Sequence, residues 1–277
     1  MRSLEITTHI GCPVNCDYCP QKTIIKAYGK RSRTRRMTLE TFKACLDKLP
    51  AGVDIHFTGM CEPWVNPQCT KMVLHARSKG HSVGVSTTLQ GMATEDLELL
   101  KAHPYKFFSI HLPTENRAES IRIDDNYRAL LSAFINSGFE ATYHVQGSGY
   151  HPDLEDILAG HDVIVYNPHS RAGNVDIQGR KKPVRLKGEI GCSRGLKQNI
   201  LLPNGDVLLC CMDYGMKHVI GNLVDMDLQA LYDNAAFRQV ADGLKDDKID
   251  ILCRLCEQYA FPRGLKSRLI NKLLPSR

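Results

Sequence analysis

Cys12-Pro13-Val14-Asn15-Cys16-Asp17-Tyr18-Cys19 is the stretch from which the rest of this 277-residue chain is read. The three cysteines stand at C-x3-C-x2-C spacing, directly after a short apolar segment, Leu4 to Ile10. Eleven cysteines scattered at random over the chain would give this spacing in roughly one or two chains per hundred. Thiolates this close on one tight loop suit a [4Fe-4S] cube, which is held through cysteine sulfur. Three thiolates leave one iron without a protein ligand, open to a small chelating molecule. Structural zinc takes four protein ligands and is one short here.

Working outward, strand-like and helix-like segments alternate. Candidate strands follow at Val53 to Thr58, Ser82 to Thr87, Phe107 to Leu112, Ala141 to Val145 and Val163 to Tyr166. Helical patterns run between them at Leu39 to Leu49, Cys69 to Lys79, Thr94 to His103, Tyr127 to Ser137 and Leu154 to Ala159. Six strands with intervening helices predict βαβ units and a parallel sheet, and right-handed crossovers curl it into a barrel or part of one. In such folds the chemistry gathers at the carboxyl ends of the strands, which is where the triplet sits.

The alternation breaks at Asn167-Pro168-His169, and residues 167 to 190 read as linker. A smaller unit follows. It has two short strands around Pro203-Asn204-Gly205-Asp206, where Asn-Gly signals a hairpin, and a helix near Leu228 to Val240. Cys192, Cys210, Cys253 and Cys256 lie in this unit. Four thiolates from three segments can close either a four-cysteine zinc site or a complete [4Fe-4S] cluster, and the sequence leaves both open. Cys45 and Cys69 fall on helical patterns as small buried hydrophobes.

With 43% apolar and 24% charged residues the composition is that of a soluble globular protein. No apolar run approaches membrane-spanning length and no signal-peptide core is present, so a reducing cytosol is expected, where cysteines serve as metal ligands and spare thiols. The net charge is +6. Lys26, Lys30, Arg31, Arg33, Arg35 and Arg36 crowd one loop after the triplet, while Arg263, Lys266, Arg268, Lys272 and Arg277 mark the C-terminal tail. The first cluster suggests an anionic substrate group such as a phosphate. Nucleic acid is not expected, for want of a binding motif or interleaved aromatics.

On these residues the chain resembles the radical S-adenosylmethionine (SAM) superfamily over nearly its full length. C-x3-C-x2-C is that family's motif. The resemblance implies a 5′-deoxyadenosyl radical that takes a hydrogen atom from a substrate, and a reductant such as flavodoxin or ferredoxin. Tyr18 matches the family's aromatic near the adenine. Gly59-Met60-Cys61-Glu62-Pro63 stands where the family has Gly-Gly-Glu-Pro, whose backbone receives the methionine amino group; Cys61 replaces the second glycine. Thr87, Thr88, Ser109 and His111 resemble positions contacting ribose or the methionine carboxylate.

The C-terminal part resembles the shortened SPASM module called a twitch domain, whose pattern Cys192, Gly205, Cys210 and Cys253-x2-Cys256 meet. This implies a partial (β/α)6 barrel over 1–170, a linker over 171–188 and a twitch domain over 189–277. It also implies two [4Fe-4S] clusters, one binding SAM and one auxiliary with four protein ligands, suited to relaying electrons. Spacing and size are similar to those of 2-deoxy-scyllo-inosamine dehydrogenases, which oxidise a secondary alcohol of an aminocyclitol. By that analogy the substrate is a small polar molecule, with Arg171 contacting its hydroxyls or the cofactor. His111, His144 and His169 are then the candidate proton acceptors. Epimerisation with Cys61 or Cys211 returning hydrogen, and modification of a ribosomally made peptide, are the competing outcomes.

Overall fold

A computed structural model describes residues 1–177 and 182–272. Six parallel strands, β1 (Ser3–Ile6), β2 (Asp54–Phe57), β3 (Val83–Thr87), β4 (Phe107–His111), β5 (Thr142–Gln146) and β6 (Val163–Tyr166), lie side by side in chain order. Helices α2 (Leu39–Leu46), α3 (Cys69–Ser78), α4 (Thr94–Leu100), α5 (Asp125–Asn136) and α6 (Glu155–Leu158) connect them. All five expected helices and six expected strands are therefore present, each within a few residues of its anticipated ends.

The alternation of side chains explains which face does what. Leu4, Ile6, Ile55, Phe57, Val83, Val85, Phe108, Ile110 and Val145 form one core with Phe42, Met72, Val73, Leu97 and Phe134 of the helices. The other face carries Glu5 opposite His56, Ser109 opposite Thr142 and His111 opposite His144. An apolar outer face buried under helices and a polar inner face are what a partial barrel requires, since six strands leave the lumen open.

Three features depart from the sequence reading. Helix α1 (Gln21–Tyr28) directly follows the triplet, so Lys26 is helical and only Lys30 to Arg36 form the basic loop. The expected helix at Leu228 to Val240 is two, α7 (Leu228–Asp233) and α8 (Ala235–Lys245). Asn234 separates them in an extended conformation and caps α8 by accepting the N–H of Phe237.

The third departure is the hairpin's place. β8 (Gln198–Leu201) and β9 (Asp206–Leu208) pair antiparallel, as expected, but β8 also pairs parallel with β1, from Ser3↔Gln198 to Ile6↔Leu201. With β10 (Val219–Asn222) beyond β9, one nine-stranded sheet runs through both parts of the chain. The sequence shows the hairpin but not its docking edge, because parallel pairing over long separation has no local signature. At the turn Gly205 has φ +88°, and a Cβ there would meet Val224 and Asn222 at 2.5 and 2.6 Å.

β7 (Ile190–Cys192) and β11 (Ala260–Pro262) form a separate two-stranded sheet. Part of the expected linker is tied down: Ser170 donates from N and Oγ to Glu257 at 2.9 and 2.8 Å, and buried Arg254 donates to the carbonyls of Leu186, Gly188 and Gly243. Linker residues 178–181 and Arg277 lie outside the described residues. Among the described residues no helix is long and apolar enough to cross a membrane.

Candidate active site

The cysteine loop leaves β1 at its carboxyl end and is pinned along its length. Ile10 donates to the Arg35 carbonyl at 2.8 Å, Asp17 to Ala118 at 2.9 Å, and Ser120 to Val14 at 2.6 Å. Donors also aim at the sulfurs. The Glu62 N–H reaches Cys12 Sγ at 3.3 Å, Gln21 Nε2 reaches Cys19 Sγ at 3.3 Å, and the Tyr214 hydroxyl lies 3.5 Å from Cys19 Sγ. Burial pushes the Cys12 and Cys16 thiols up, so a cluster binding here displaces their protons. Sulfurs that receive N–H and O–H donors suit thiolates in an iron-sulfur site, whose potential such bonds tune.

The segment after β2 packs hard against β1. A Cβ on Gly59 would sit 2.4 Å from the Ile6 carbonyl, so no other residue fits without moving the strand. Met60 donates to Thr7 Oγ1 at 3.0 Å and its carbonyl accepts Gln21 Nε2 at 2.7 Å, which ties this segment to the cysteine loop. The Cys61 thiol is buried against Thr8 Oγ1 at 3.6 Å, and burial lifts it to about 12.

Glu62 turns its carboxylate inward. It accepts from Trp64 N (3.2 Å), Thr87 Oγ1 (2.7 Å), Thr88 N (2.6 Å) and Thr88 Oγ1 (2.8 Å), clamping the ends of β2 and β3. Burial pushes its pKa up despite these bonds. The hydroxyls of Thr87 and Thr88 are thus committed to Glu62. Glu62→Ala strands several buried donors, and we expect a loss of about 3 kcal/mol in denaturant unfolding.

On the inner face, Tyr18, Ser109, His111 and His144 come together with Glu119, a residue with no local signal in the sequence. The Tyr18 hydroxyl donates to Glu119 Oε1 at 2.5 Å and lies 3.1 Å from His111 Nε2. Because the phenol proton points at Glu119, Nε2–H of His111 donates to the phenol oxygen, and in the neutral ring Nδ1 is then the acceptor. Burial opposes charge on Glu119, but bonds from His111, Tyr18 and Thr114 outweigh it and hold the carboxyl below its ordinary value. The His144 ring stacks on His111, centroids 4.8 Å apart, and its Nδ1 meets Ser109 Oγ at 2.9 Å. His169 Nδ1 accepts the N–H of Arg171 at 3.3 Å.

Burial lowers His144 to about 3 and His218 to about 4. His218 Nε2 accepts the N–H of Leu252, next to Cys253, and so must stay neutral. Both groups bind protons less readily folded than unfolded. Their stabilising contribution is full above the ordinary value of 6.5 and is lost as pH falls below it. For His144 the slope approaches about 1.4 kcal/mol per pH unit, so urea midpoints measured from pH 7 to 5 should fall.

The second cysteine set lines one cavity: Cys192 on β7, Cys210 after β9, and Cys253 and Cys256 around a 3-10 turn, among Leu196, Leu209, Met212 and Leu252. Among the described residues no three His, Cys, Asp or Glu side chains converge as ligands of one metal ion. Cys211 takes another contact. Its Sγ accepts from Arg194 at 3.0 Å, and Arg194 also holds Glu5 at 3.0 Å and the Tyr259 hydroxyl at 2.6 Å.

Arg171 begins three successive left-handed residues, with φ of +51°, +55° and +83° through Gly173, a conformation that costs about 1–2 kcal/mol at each non-glycine position. Burial works against its charge, yet Tyr214, Cys211 and Cys19 around it hold its pKa above the usual value. Arg171 therefore lies near Cys19 of the first set and Cys211 beside the second. Gln21, Tyr214 and Arg194 were not anticipated. The nearness of Gln21 and Arg194 in sequence to Cys19 and Cys192 was the one available sign.

A family model described as the radical SAM superfamily matches residues 6–158, just over half of the chain. The chain belongs to the radical SAM superfamily. Residues 192–257 match a second model, the SPASM iron-sulfur cluster-binding domain. The cofactors of this radical SAM protein are accordingly SAM, the [4Fe-4S] cluster that binds it, and an auxiliary cluster.

The chain is 25% identical over 273 residues, 93% of each chain, to the S-adenosyl-L-methionine-dependent 2-deoxy-scyllo-inosamine dehydrogenase of Niallia circulans. Among solved structures, BtrN in complex with AdoMet and 2-DOIA matches with a TM-score of 0.62 at 16% identity, over 93% of both chains. Streptococcus suis SuiB bound to its precursor peptide SuiA matches at 0.61 and 16% identity, over 99% of this chain and 73% of SuiB. The expected resemblance and the partial-barrel fold are borne out.

Proposed function

We propose that this radical SAM enzyme is an alcohol oxidoreductase that converts a carbinol of a small polar molecule, a sugar, cyclitol or nucleotide-linked sugar, to a ketone. Its likeness to an aminocyclitol dehydrogenase over 93% of both chains supports the substrate class. The observation that carries the reaction type is the His111–Tyr18–Glu119 array, a base backed by a carboxylate and joined to the cysteine loop.

In this reading Cys12, Cys16 and Cys19 hold the open cluster, and Cys192, Cys210, Cys253 and Cys256 hold the closed one. The backbone of Gly59, Met60 and Cys61 faces the methionine amino group, with Tyr18 and Ser109 lining the nucleoside side, and Arg171 orients substrate hydroxyls. When bound, the cofactors supply a 5′-deoxyadenosyl radical that takes the carbinol hydrogen atom, and a relay that accepts the last electron. His111 Nδ1 takes the hydroxyl proton and Glu119 stabilises the resulting cation through Tyr18. His144, held neutral by burial, stacks behind it. Hydrogen atom, proton and electron together account for the two-electron oxidation. The thiols of Cys61 and Cys211 are both engaged, by Thr8 and Arg194, which favours oxidation over thiol-mediated epimerisation.

The test is anaerobic turnover with candidate alcohols deuterated at the carbinol carbon. One ketone per 5′-deoxyadenosine, with deuterium in the nucleoside, is expected; an inverted carbinol carrying solvent hydrogen would refute oxidation. His111→Ala should lower ketone formation about a hundredfold or more while uncoupled cofactor cleavage persists.

A further inference from the structure

Of the two basic clusters in the chain, the denser surrounds the start of α1 and the loop after it. Between Asp17 and Glu40 there are seven lysines and arginines and no acidic residue, whereas the rest of the chain nets −1. Lys22 and Lys26 on α1 and Lys30, Arg33, Arg35 and Arg36 after it are exposed. Arg31 is paired with Asp206 at 2.9 Å, and none of the other six forms an ion pair among the described residues. Unneutralised like charges this dense repel one another and are retained at a cost in stability.

The segment wraps the cysteine loop. Ile10 donates to Arg35, Met37 donates to Thr8, and His9 bridges to Arg36. At its other end Gln21, the first residue of α1, bonds both Cys19 Sγ and the Cys12 N–H. Small anions are held by donors converging in a concavity. These cations are instead spread over an exposed helix and loop, the arrangement by which a charged surface steers a protein partner.

We propose that this basic face is the docking surface for a small acidic one-electron carrier of the flavodoxin class, seated beside the triplet. The inference rests on the radical SAM reading of that triplet. On docking, one electron passes from the anionic flavin hydroquinone, which becomes the neutral semiquinone with no proton moved, to the SAM-binding cluster.

The experiment uses the reconstituted full chain, a recombinant bacterial flavodoxin, and the variants K26E/K30E and R33E/R35E, with circular dichroism confirming their folds. Calorimetric Kd for flavodoxin should rise about tenfold or more in each variant, and in the parent chain on going from 50 mM to 500 mM salt. Flavodoxin-driven SAM cleavage should fall in parallel, while dithionite-driven cleavage stays at the parental rate. Equal flavodoxin affinity in parent and variants would overturn the docking surface. So would tighter binding of duplex DNA than of flavodoxin, lost in the same variants. Absence of dithionite-driven cleavage in the parent would overturn the radical reading instead, and the binding constants would still decide the surface.

Discussion

Cys16→Ala removes 5′-deoxyadenosine production to background, a loss of at least about a thousandfold, and halves the iron content from about eight to about four per chain. Two thiolates, Cys12 and Cys19, remain with their donors in place, but two ligands do not retain a cube that needs three. The substitution itself is mild. Cys16 is only part-buried, and its loop is held by Asp17, Ser120 and Ile10 rather than by its own side chain. Folding by circular dichroism should therefore be unchanged. Retained cofactor cleavage with four irons lost would show that the triplet is not the reactive site.

Cys253→Ala separates the two halves of the proposed chemistry. Cys253 is buried in the cavity it shares with Cys192, Cys210 and Cys256, and burial lifts its thiol to about 12. That cavity is lined by none of Cys12, Cys16 and Cys19, so SAM cleavage should survive. Ketone yield per 5′-deoxyadenosine should fall about ten- to a hundredfold, because the last electron loses its acceptor. Unchanged coupling of ketone to nucleoside would remove the relay from the mechanism and leave the second cluster a structural role.

The elements with local signatures were legible in the sequence. The alternation of strand-like and helix-like segments placed β1 to β6, cysteine spacing marked both thiol sets, and Asn204-Gly205 marked the hairpin. What the sequence withheld depends on distance along the chain. Glu119 meets Tyr18 across 101 residues and Tyr214 meets Cys19 across 195, and nothing near either residue announces the partner. Gly59, Glu62 and Thr87 were marked out by a motif, but their division of labour was not. Only the structure shows the Glu62 carboxylate clamping two strands while the Met60 backbone is tied to Thr7 and Gln21.

The pairing of β8 with β1 bears on how the chain can be cut. Leu4 and Ile6 are essentially fully buried, and both edges of their strand are occupied, by β2 on one side and by a segment nearly two hundred residues later on the other. A fragment ending before residue 189 would bare that edge as a short, apolar, unpaired template for intermolecular pairing. Its cysteine loop would also lose the hydroxyl that approaches Cys19 from Tyr214. The two halves therefore share one sheet, and the C-terminal part is a strand donor to the barrel as much as a cysteine-bearing appendage.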